Sequence, residues 1–256
     1  MFNISKPLLL LLGAAAVGHA GAQELKVYGP GGPAPAFKAA AAKFEEQTGI
    51  KVKLVAGLTP TWIDAAKIDA EVVYSGSEHM MTEFAFVLGD QVKLADAEPL
   101  YVRPMTIVVR AGNPKKIHGF EDLMKPGVKL EVVNGSGLSG AWEDMAGRNG
   151  DIGQIRALRS NVAAYAKNSA DAKQIWTERP ELDAWLTWTA WQNAFSQVGD
   201  AIPVEPRYAL YRDAGVVVTQ RGRANPAAAQ FVAFLKSDAG AQIFVAKGWL
   251  NAKPSQ

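Results

Sequence analysis

The pattern of apolar and polar positions after residue 24 alternates short strands with amphipathic helices. Residues 25–28 form an apolar run that ends in a Gly/Pro turn, and residues 50–55 alternate apolar and basic positions. Between them, Phe37, Ala41 and Phe44 recur at helical spacing, with lysines and glutamates at the other positions. Strand, loop and helix repeated at this pitch predict parallel βαβ units with right-handed crossovers.

The rest of the chain predicts a second unit inserted into the first. Pro104 interrupts a β-rich run over residues 100–110, and proline is poorly tolerated within a central strand, so we expect an edge, a bend or a crossing between domains there. The other predicted elements are a strand over 128–133, a helix over 141–147, helical stretches over roughly 151–178, a strand over 183–191, a return strand over 208–219 and two closing helices after Asn225.

These elements predict an α/β fold with two lobes. Each lobe is expected to be a mixed, mostly parallel sheet flanked by helices, and two strands near residues 100–106 and 204–212 are expected to connect the lobes as a hinge. The expected boundaries are residues 23–104 plus 206–256 for lobe 1 and residues 105–205 for lobe 2.

Residues 1–22 have the pattern of a cleaved secretory signal. Lys6 precedes an apolar run over residues 8–17, which is too short to span a bilayer comfortably, and Ala20-Gly21-Ala22 offers small residues for signal peptidase. We expect cleavage after Ala22 and export to the periplasm. No cysteine follows the apolar run, which excludes a lipoprotein anchor.

Composition removes several classes of function. The 256 residues contain no cysteine and only three histidines, so thiol chemistry and a histidine-built metal site are not expected. The net charge of +2 is spread along the chain and gives no electrostatic case for binding nucleic acid. No nucleophile or metalloprotease motif is present, so neither an enzyme nor a cofactor is expected.

Loops rich in glycine and hydroxyl residues follow the predicted strands and precede helices. Free backbone N–H groups at helix starts, with hydroxyls nearby, can bind an anion without formal charge. For any one loop, capping and turn formation are the commoner roles, whereas several loops in register favour a site. The candidate ligand-binding residues in these loops are Gly31, Gly32, Thr59, Thr61, Ser75, Gly76, Ser77, Ser136, Gly137 and Ser139.

Two arginines could strengthen such a site by bidentate contact with an oxyanion. Arg103 lies beside Pro104 on the expected linker, and Arg207 lies on the opposite return strand. The alternative for each is a solvated surface residue. The tryptophans between Trp176 and Trp191 allow an aromatic binding surface, but core or interlobe packing is the favoured interpretation.

Several of these segments together resemble the accessory colonization factor C family. The resemblance rests on Gly-Pro-Gly-Gly-Pro at residues 29–33, Gly-Leu-Thr-Pro-Thr-Trp at 57–62, Ser-Gly-Ser-Glu-His-Met-Met at 75–81, Tyr-Arg-Asp at 211–213 and the closing helices at 225–250. It implies a type 2 periplasmic solute-binding protein, near the sulfate and molybdate receptors, with a five-stranded sheet in each lobe and an interlobe anion site. The first loop has Gly and Pro where the molybdate pattern has hydroxyl residues, which leaves room for a larger ligand.

The resulting hypothesis is a periplasmic receptor for a small oxyanion or a phosphorylated or carboxylated metabolite, of the sulfate, phosphoglycerate or citrate type. Its expected partners are that anionic solute and the permease of an inner-membrane ABC transporter, and a homodimer is left open. The alternatives are an envelope adhesion, colonization or sensing protein with the same fold, and, less favoured because motifs are absent, a phosphoester hydrolase.

Overall fold

The structure is a computed structural model that describes residues 24–251 except Phe195. The expected signal segment over residues 1–22 and its cleavage after Ala22 lie outside the described residues. The strands are β1 (Leu25–Pro30), β2 (Val52–Gly57), β3 (Val72–Tyr74), β4 (Glu98–Val109), β5 (Leu130–Val133), β6 (Val162–Ala166), β7 (Ala184–Trp188), β8 (Asp200–Pro203) and β9 (Tyr211–Val218). The helices are α1 (Ala34–Thr48), α2 (Ile63–Asp69), α3 (Glu78–Leu88), α4 (Ala141–Ala146), α5 (Ile152–Asn161), α6 (Ser169–Glu178), α7 (Thr189–Ala194), α8 (Pro226–Lys236) and α9 (Asp238–Ala246).

The strands form a mixed sheet that divides between two lobes. Over the described residues its order is β2-β1-β3-β9-β4-β7-β5-β6, with β8 paired to β4. The outer three strands of each lobe, β2-β1-β3 and β6-β5-β7, pair in parallel, whereas β9, β4, β7 and β8 meet in antiparallel pairs. The predicted two-lobed α/β fold with mixed sheets is therefore confirmed, and the parallel pairing is confined to the outer strands.

Strand β4 belongs to both lobes and changes partner at Pro104. Residues up to Pro104 pair with β9 of the first lobe, and residues from Met105 onward pair with β7 and β8 of the second. Of the edge, bend or crossing between domains expected at Pro104, this change of partner fits a crossing. The chain returns at the start of β9, since Tyr208 and Leu210 still pack into the core of the second lobe.

Each lobe has its own apolar core. The first sheet is covered on one side by α1, α8 and α9, where Phe37, Phe44 and Phe231 are buried, and on the other side by α2 and α3. The second lobe buries Phe120, Leu158 and several tryptophans. Trp176, Trp185 and Trp188 have at most 1 % of their surface exposed, as the packing interpretation expected.

Two predicted elements in the second lobe were wrong. Residues 151–178 are not helical throughout, because β6 lies between α5 and α6 and pairs with β5. Its sequence, Val-Ala-Ala-Tyr-Ala, is short and alanine-rich, so local pattern favours helix and the pairing with β5 overrides it. The strand predicted over 183–191 ends at Trp188, after which α7 begins.

Within the part of the chain that the structure describes, no helix combines the length and apolar character needed to cross a membrane.

Candidate anion-binding cavity

A cavity of about 500 Å³ lies between the lobes and is lined by loops from both. Most of these loops follow the carboxyl ends of parallel strands, where open α/β sheets place ligands. The first lobe contributes the loops after β1 and β2, including Gly31, Gly32, Leu58 and Thr59. The second lobe contributes the loops after β5 and β6, including Gly137, Asn168 and Asp171. Arg103, Met80, Trp188 and Trp191 complete the lining.

Arg103 is a buried cation in the wall of this cavity. It lies on β4 one residue before the crossing at Pro104, and only 2 % of its surface is exposed. Its guanidinium carbon lies 4.7 Å from the ring centre of Trp188 and 5.0 Å from that of Trp249. These two aromatic contacts stabilise the cation and orient the plane of the guanidinium.

The hydrogen bonds of Arg103 are incomplete. Its Nη2 donates to the carbonyl oxygen of Gly76 at 2.9 Å, but Nε and Nη1 have no hydrogen-bond partner among the described residues. Buried polar groups in folded proteins are nearly always hydrogen-bonded, and a buried unpaired charge is costly. Two unpartnered donors of a rigid guanidinium that lines a cavity therefore point to an oxyanion as their partner.

Glycines from both lobes allow the loops to reach this guanidinium. A β-carbon added at Gly76 would lie 2.8 Å from Nη2 of Arg103, and one added at Gly137 would lie 3.2 Å from the same atom. The first distance is too short for a real contact, and the second requires the neighbour to move. Gly76 precedes α3 in the first lobe, so a side chain there would displace the guanidinium of Arg103 or Pro33 within that lobe, whereas a side chain at Gly137, which follows β5 in the second lobe, would press against residues of the first lobe.

Burial lowers the pKa of Arg103 to about 9, and the nearby carboxylate of Asp213 opposes that change. The side chain is therefore cationic at neutral pH. Desolvation raises the pKa of Glu78, and the charge of the hydrogen-bonded neighbour Asp213 raises it further. This acid pair places negative charge beside Arg103, although neither acid lines the cavity.

The structure brings five of the residues expected in the site to the cavity wall: Gly31, Gly32, Thr59, Arg103 and Gly137. They come from both lobes and include one charged side chain. Their part in binding stays a prediction.

Apart from Ser136, the remaining expected loop residues lie outside the wall, and several have structural partners. The hydroxyl of Thr61 donates to the carbonyl of Leu58. The buried hydroxyl oxygens of Ser75 and Ser77 accept from the backbone N–H groups of Gly215 and Met80. Gly76 reaches the site only by its carbonyl contact with Arg103. Ser136 lies on the turn after β5, and Ser139 is exposed.

Arg207 is not brought to the cavity, contrary to expectation. It lies in a turn after β8, its side chain is 55 % exposed, and its Nη2 lies 2.5 Å from a carboxylate oxygen of Glu121. The segment over 204–210 is not a strand, because β8 ends at Pro203 and Pro206 opens a turn. Arg207 therefore remains a surface residue paired with an acid of its own lobe.

The sequence interpretation missed the loop after β6. Asn168, Ser169, Asp171 and Gln174 line the cavity there, but the loop could not be placed while β6 was taken as helix. A usable signal was present: Asn168 is a helix-capping residue, and its side-chain oxygen accepts from the N–H groups of Ala170 and Asp171.

The lining combines apolar walls with two charged side chains, Arg103 and Asp171, counted over the described residues. Across the same residues, no group of three or more acids, histidines or cysteines has the arrangement of a metal site. The arrangement is therefore suited to binding a small polar solute through hydrogen bonds and one strong cation.

The chain is similar to known solute-binding proteins. The family model described as bacterial extracellular solute-binding protein matches residues 25–250. Among solved structures, Peb3 from Campylobacter jejuni is 34 % identical with a TM-score of 0.81, covering 88 % of this chain and 99 % of that one. A structure of L-phospholactate-bound PEB3 matches to the same degree.

More distant structures share the fold. The sulfate-binding protein SubI from Mycobacterium tuberculosis H37Rv is 21 % identical with a TM-score of 0.72, covering 90 % of this chain and 88 % of that one. Among curated relatives, the sulfate-binding protein of Escherichia coli K12 is 31 % identical over 108 residues, which are 38 % of this chain. The chain spans only 33 % of the length of that relative.

Proposed function

Because the chain belongs to the bacterial extracellular solute-binding proteins, we propose that it is a periplasmic receptor for a small solute that bears an oxyanion. The solute binds in the interlobe cavity around Arg103 and is then passed to the permease of an inner-membrane ABC transporter. The solute is sulfate or a phosphorylated or carboxylated metabolite such as phosphoglycerate or citrate. The protein binds and releases this solute without chemical change.

The observation that carries the proposal is the incomplete hydrogen bonding of Arg103. A structural arginine would use its donors within the fold, whereas Nε and Nη1 of Arg103, a residue of the cavity wall, are buried and have no partner in the described chain. An oxyanion would supply both missing acceptors, and charge-assisted bonds of this kind are about twice as strong as neutral ones. Sulfate and L-phospholactate, named with the similar proteins, both present such oxygens.

The mechanism we propose is closure of the lobes around the bound anion. The two crossings at Pro104 and at the start of β9 form the hinge, and we place the lobe boundaries at 104/105 and 210/211. Loops from both lobes contact the same space, so an anion held there stabilises the closed state over the open one.

Thermal unfolding of the protein, refolded to remove bound solute, tests the proposal. The panel is sulfate, phosphate, molybdate, 3-phosphoglycerate and citrate, with chloride at matched ionic strength as the control. A ligand at 100 times its dissociation constant adds roughly 2.7 kcal/mol to the free energy of unfolding, which raises the midpoint by a few degrees. A selective rise is expected. A midpoint that no anion moves more than chloride does would contradict the proposal.

A further inference from the structure

The described wall of the cavity contains two charged side chains of opposite sign, and they do not form an ion pair with each other. Of the lining residues that the structure describes, only Arg103 and Asp171 are charged, and no ion pair joins them. The acid that acts on the pKa of Arg103 is Asp213, whereas Asp171 acts on that of Glu131, deeper in the second lobe. Arg103 lies on β4 where that strand pairs with β9 in the first lobe, and Asp171 lies on α6 in the second lobe, so each marks the end of the cavity that its own lobe contributes.

Backbone contacts hold Asp171 in place. Its Oδ2 accepts from the N–H of Lys167 at 2.8 Å, and its own N–H donates to Oδ1 of Asn168 at 3.0 Å. No hydrogen bond to Oδ1 of Asp171 forms in the described part of the chain, so this oxygen has capacity for a donor from the ligand. Asn168 and Gln174 line the same end.

The space between the two ends is larger than an inorganic oxyanion needs. A volume of about 500 Å³ falls within the range of roughly 300–1,000 Å³ that is typical of pockets for organic ligands. Leu58, Leu138, Trp188 and Trp191 line the cavity, which gives carbon atoms of a ligand apolar surface to contact. A bare sulfate would satisfy Arg103 and leave Asp171 with no ligand contact.

We infer that the ligand is an organic oxyanion whose far end carries a hydrogen-bond donor, a hydroxyl or an ammonium group, and that Asp171 selects for that donor. This inference rests on the proposed function, since it assigns the second end of the same site. A donor gains a charge-assisted bond to Asp171. A second acidic group would face a carboxylate with no further cation in the described lining to balance it, so within the proposed class of solutes a phosphorylated metabolite with a donor at its far end is favoured over phosphoglycerate or citrate.

Two phosphate esters of the same carbon number test the selection. Glycerol 3-phosphate ends in a hydroxymethyl group and 3-phosphoglycerate ends in a carboxylate, while both offer the same phosphate to Arg103. Isothermal titration calorimetry is run on the refolded protein, on Asp171→Asn and on Asp151→Asn. Asp151 is the matched control, because it also accepts one backbone N–H in the second lobe but does not line the cavity.

The expected result is that the unsubstituted protein binds glycerol 3-phosphate at least tenfold more tightly than 3-phosphoglycerate. Asp171→Asn should reduce this ratio about tenfold by improving 3-phosphoglycerate, and Asp151→Asn should leave it unchanged. Equal binding of the two esters, a preference for 3-phosphoglycerate, or a ratio that Asp171→Asn does not change overturns the inference.

Sulfate and an Arg103→Gln variant separate failure of this inference from failure of the proposed function. If sulfate binds and neither ester does, the donor-bearing ligand is wrong while the anion receptor stands. If no anion binds, or if Arg103→Gln binds the esters as tightly as the unsubstituted protein, the proposed function itself is contradicted.

Discussion

Two arginines seven positions apart, Arg103 within β4 and Arg110 directly after it, show how differently a fold can use one residue type. Arg110 directly follows β4 and donates from Nε to the carbonyl of Leu182 and from Nη2 to the carbonyls of Trp176 and Arg179. Its guanidinium carbon lies 3.5 Å from the ring centre of Trp176. Arg103, seven positions earlier on the strand, also stacks on tryptophans but has one carbonyl partner and two unpartnered nitrogens.

The difference shows what distinguishes a binding arginine from a structural one. It is whether the guanidinium donors have hydrogen-bond acceptors within the fold, more than burial or aromatic contact. Arg110 ties the ends of α6 and the segment before β7 to β4, so its donors serve the fold. Arg103 is the more buried of the two and belongs to the cavity wall, yet two of its nitrogens have no hydrogen-bond partner in the described chain. The fold tolerates the cost of this unpaired cation at the place where a ligand can remove it.

The largest effect is expected from replacing each arginine by glutamine. Arg110→Gln should lower the free energy of unfolding by about 3 kcal/mol, because three buried or half-buried carbonyls lose a charged donor. Arg103→Gln should change it by less than about 1 kcal/mol without ligand, since it removes an unpaired buried charge. Urea unfolding of both variants measures this contrast. Similar losses in the two variants would remove the distinction between a structural and a binding arginine.

A buried carboxylic acid extends the comparison to a group that has no cavity to face. Glu131 on β5 is fully buried, neither of its oxygens has a partner in the described chain, and burial raises its pKa to about 8. The carboxyl is therefore protonated in the folded state at neutral pH and ionised in the unfolded state. Stability should fall as pH rises from the ordinary value of 4.5 toward 8, because the unfolded state releases the proton first.

Glu131→Gln isolates this pH effect, since it keeps the shape and cannot ionise. Relative to the variant, the unsubstituted protein should lose on the order of 2 kcal/mol between pH 5 and pH 7. Unfolding midpoints in urea at the two pH values give the difference. Parallel pH profiles would show that Glu131 is ionised in the fold and has a partner there.

Arg212 is an intermediate case, because its partner belongs to the other lobe. Its Nη2 lies 2.7 Å from a carboxylate oxygen of Asp144 on α4, while Arg212 itself is on β9 of the first lobe. Asp144→Asn should weaken anion binding by up to about 1 kcal/mol by loosening the closed state, as expected for a partly exposed pair. Exchanging the two charges, with Arg212→Asp and Asp144→Arg together, should restore the affinity. A single variant with unchanged affinity would mean that the pair does not favour closure.

The smallest effect is expected at Arg207. Its pair with Glu121 is exposed on both sides, so Arg207→Gln should change stability by less than about 0.5 kcal/mol and leave the affinity for anions unaltered. The same calorimetric titration that is used for the Arg103 variant provides the measurement. A clear loss of anion affinity in Arg207→Gln would show that Arg207 takes part in binding after all.

Much of the fold and part of the candidate site could be predicted from the sequence, at the places where local pattern and tertiary structure agree. The helical spacing of Phe37, Ala41 and Phe44 is the buried face of α1, and Pro104 is the crossing. Arg103 was found because it neighbours that proline. Arg207 was placed wrongly because strand propensity over 204–212 hides a turn at Pro206. The loop with Asp171 was missed because β6 exists only through its pairing with β5.

The central claim is that Arg103 binds the solute, and calorimetric titration of the Arg103→Gln variant tests it most directly. The titrant is whichever anion of the panel raises the unfolding midpoint most, and the Arg207→Gln variant serves as control. We predict a loss of affinity of at least 100-fold for Arg103→Gln, corresponding to about 2.8 kcal/mol, and none for the control. A folded Arg103→Gln variant that binds the anion as tightly as the unsubstituted protein would contradict this account.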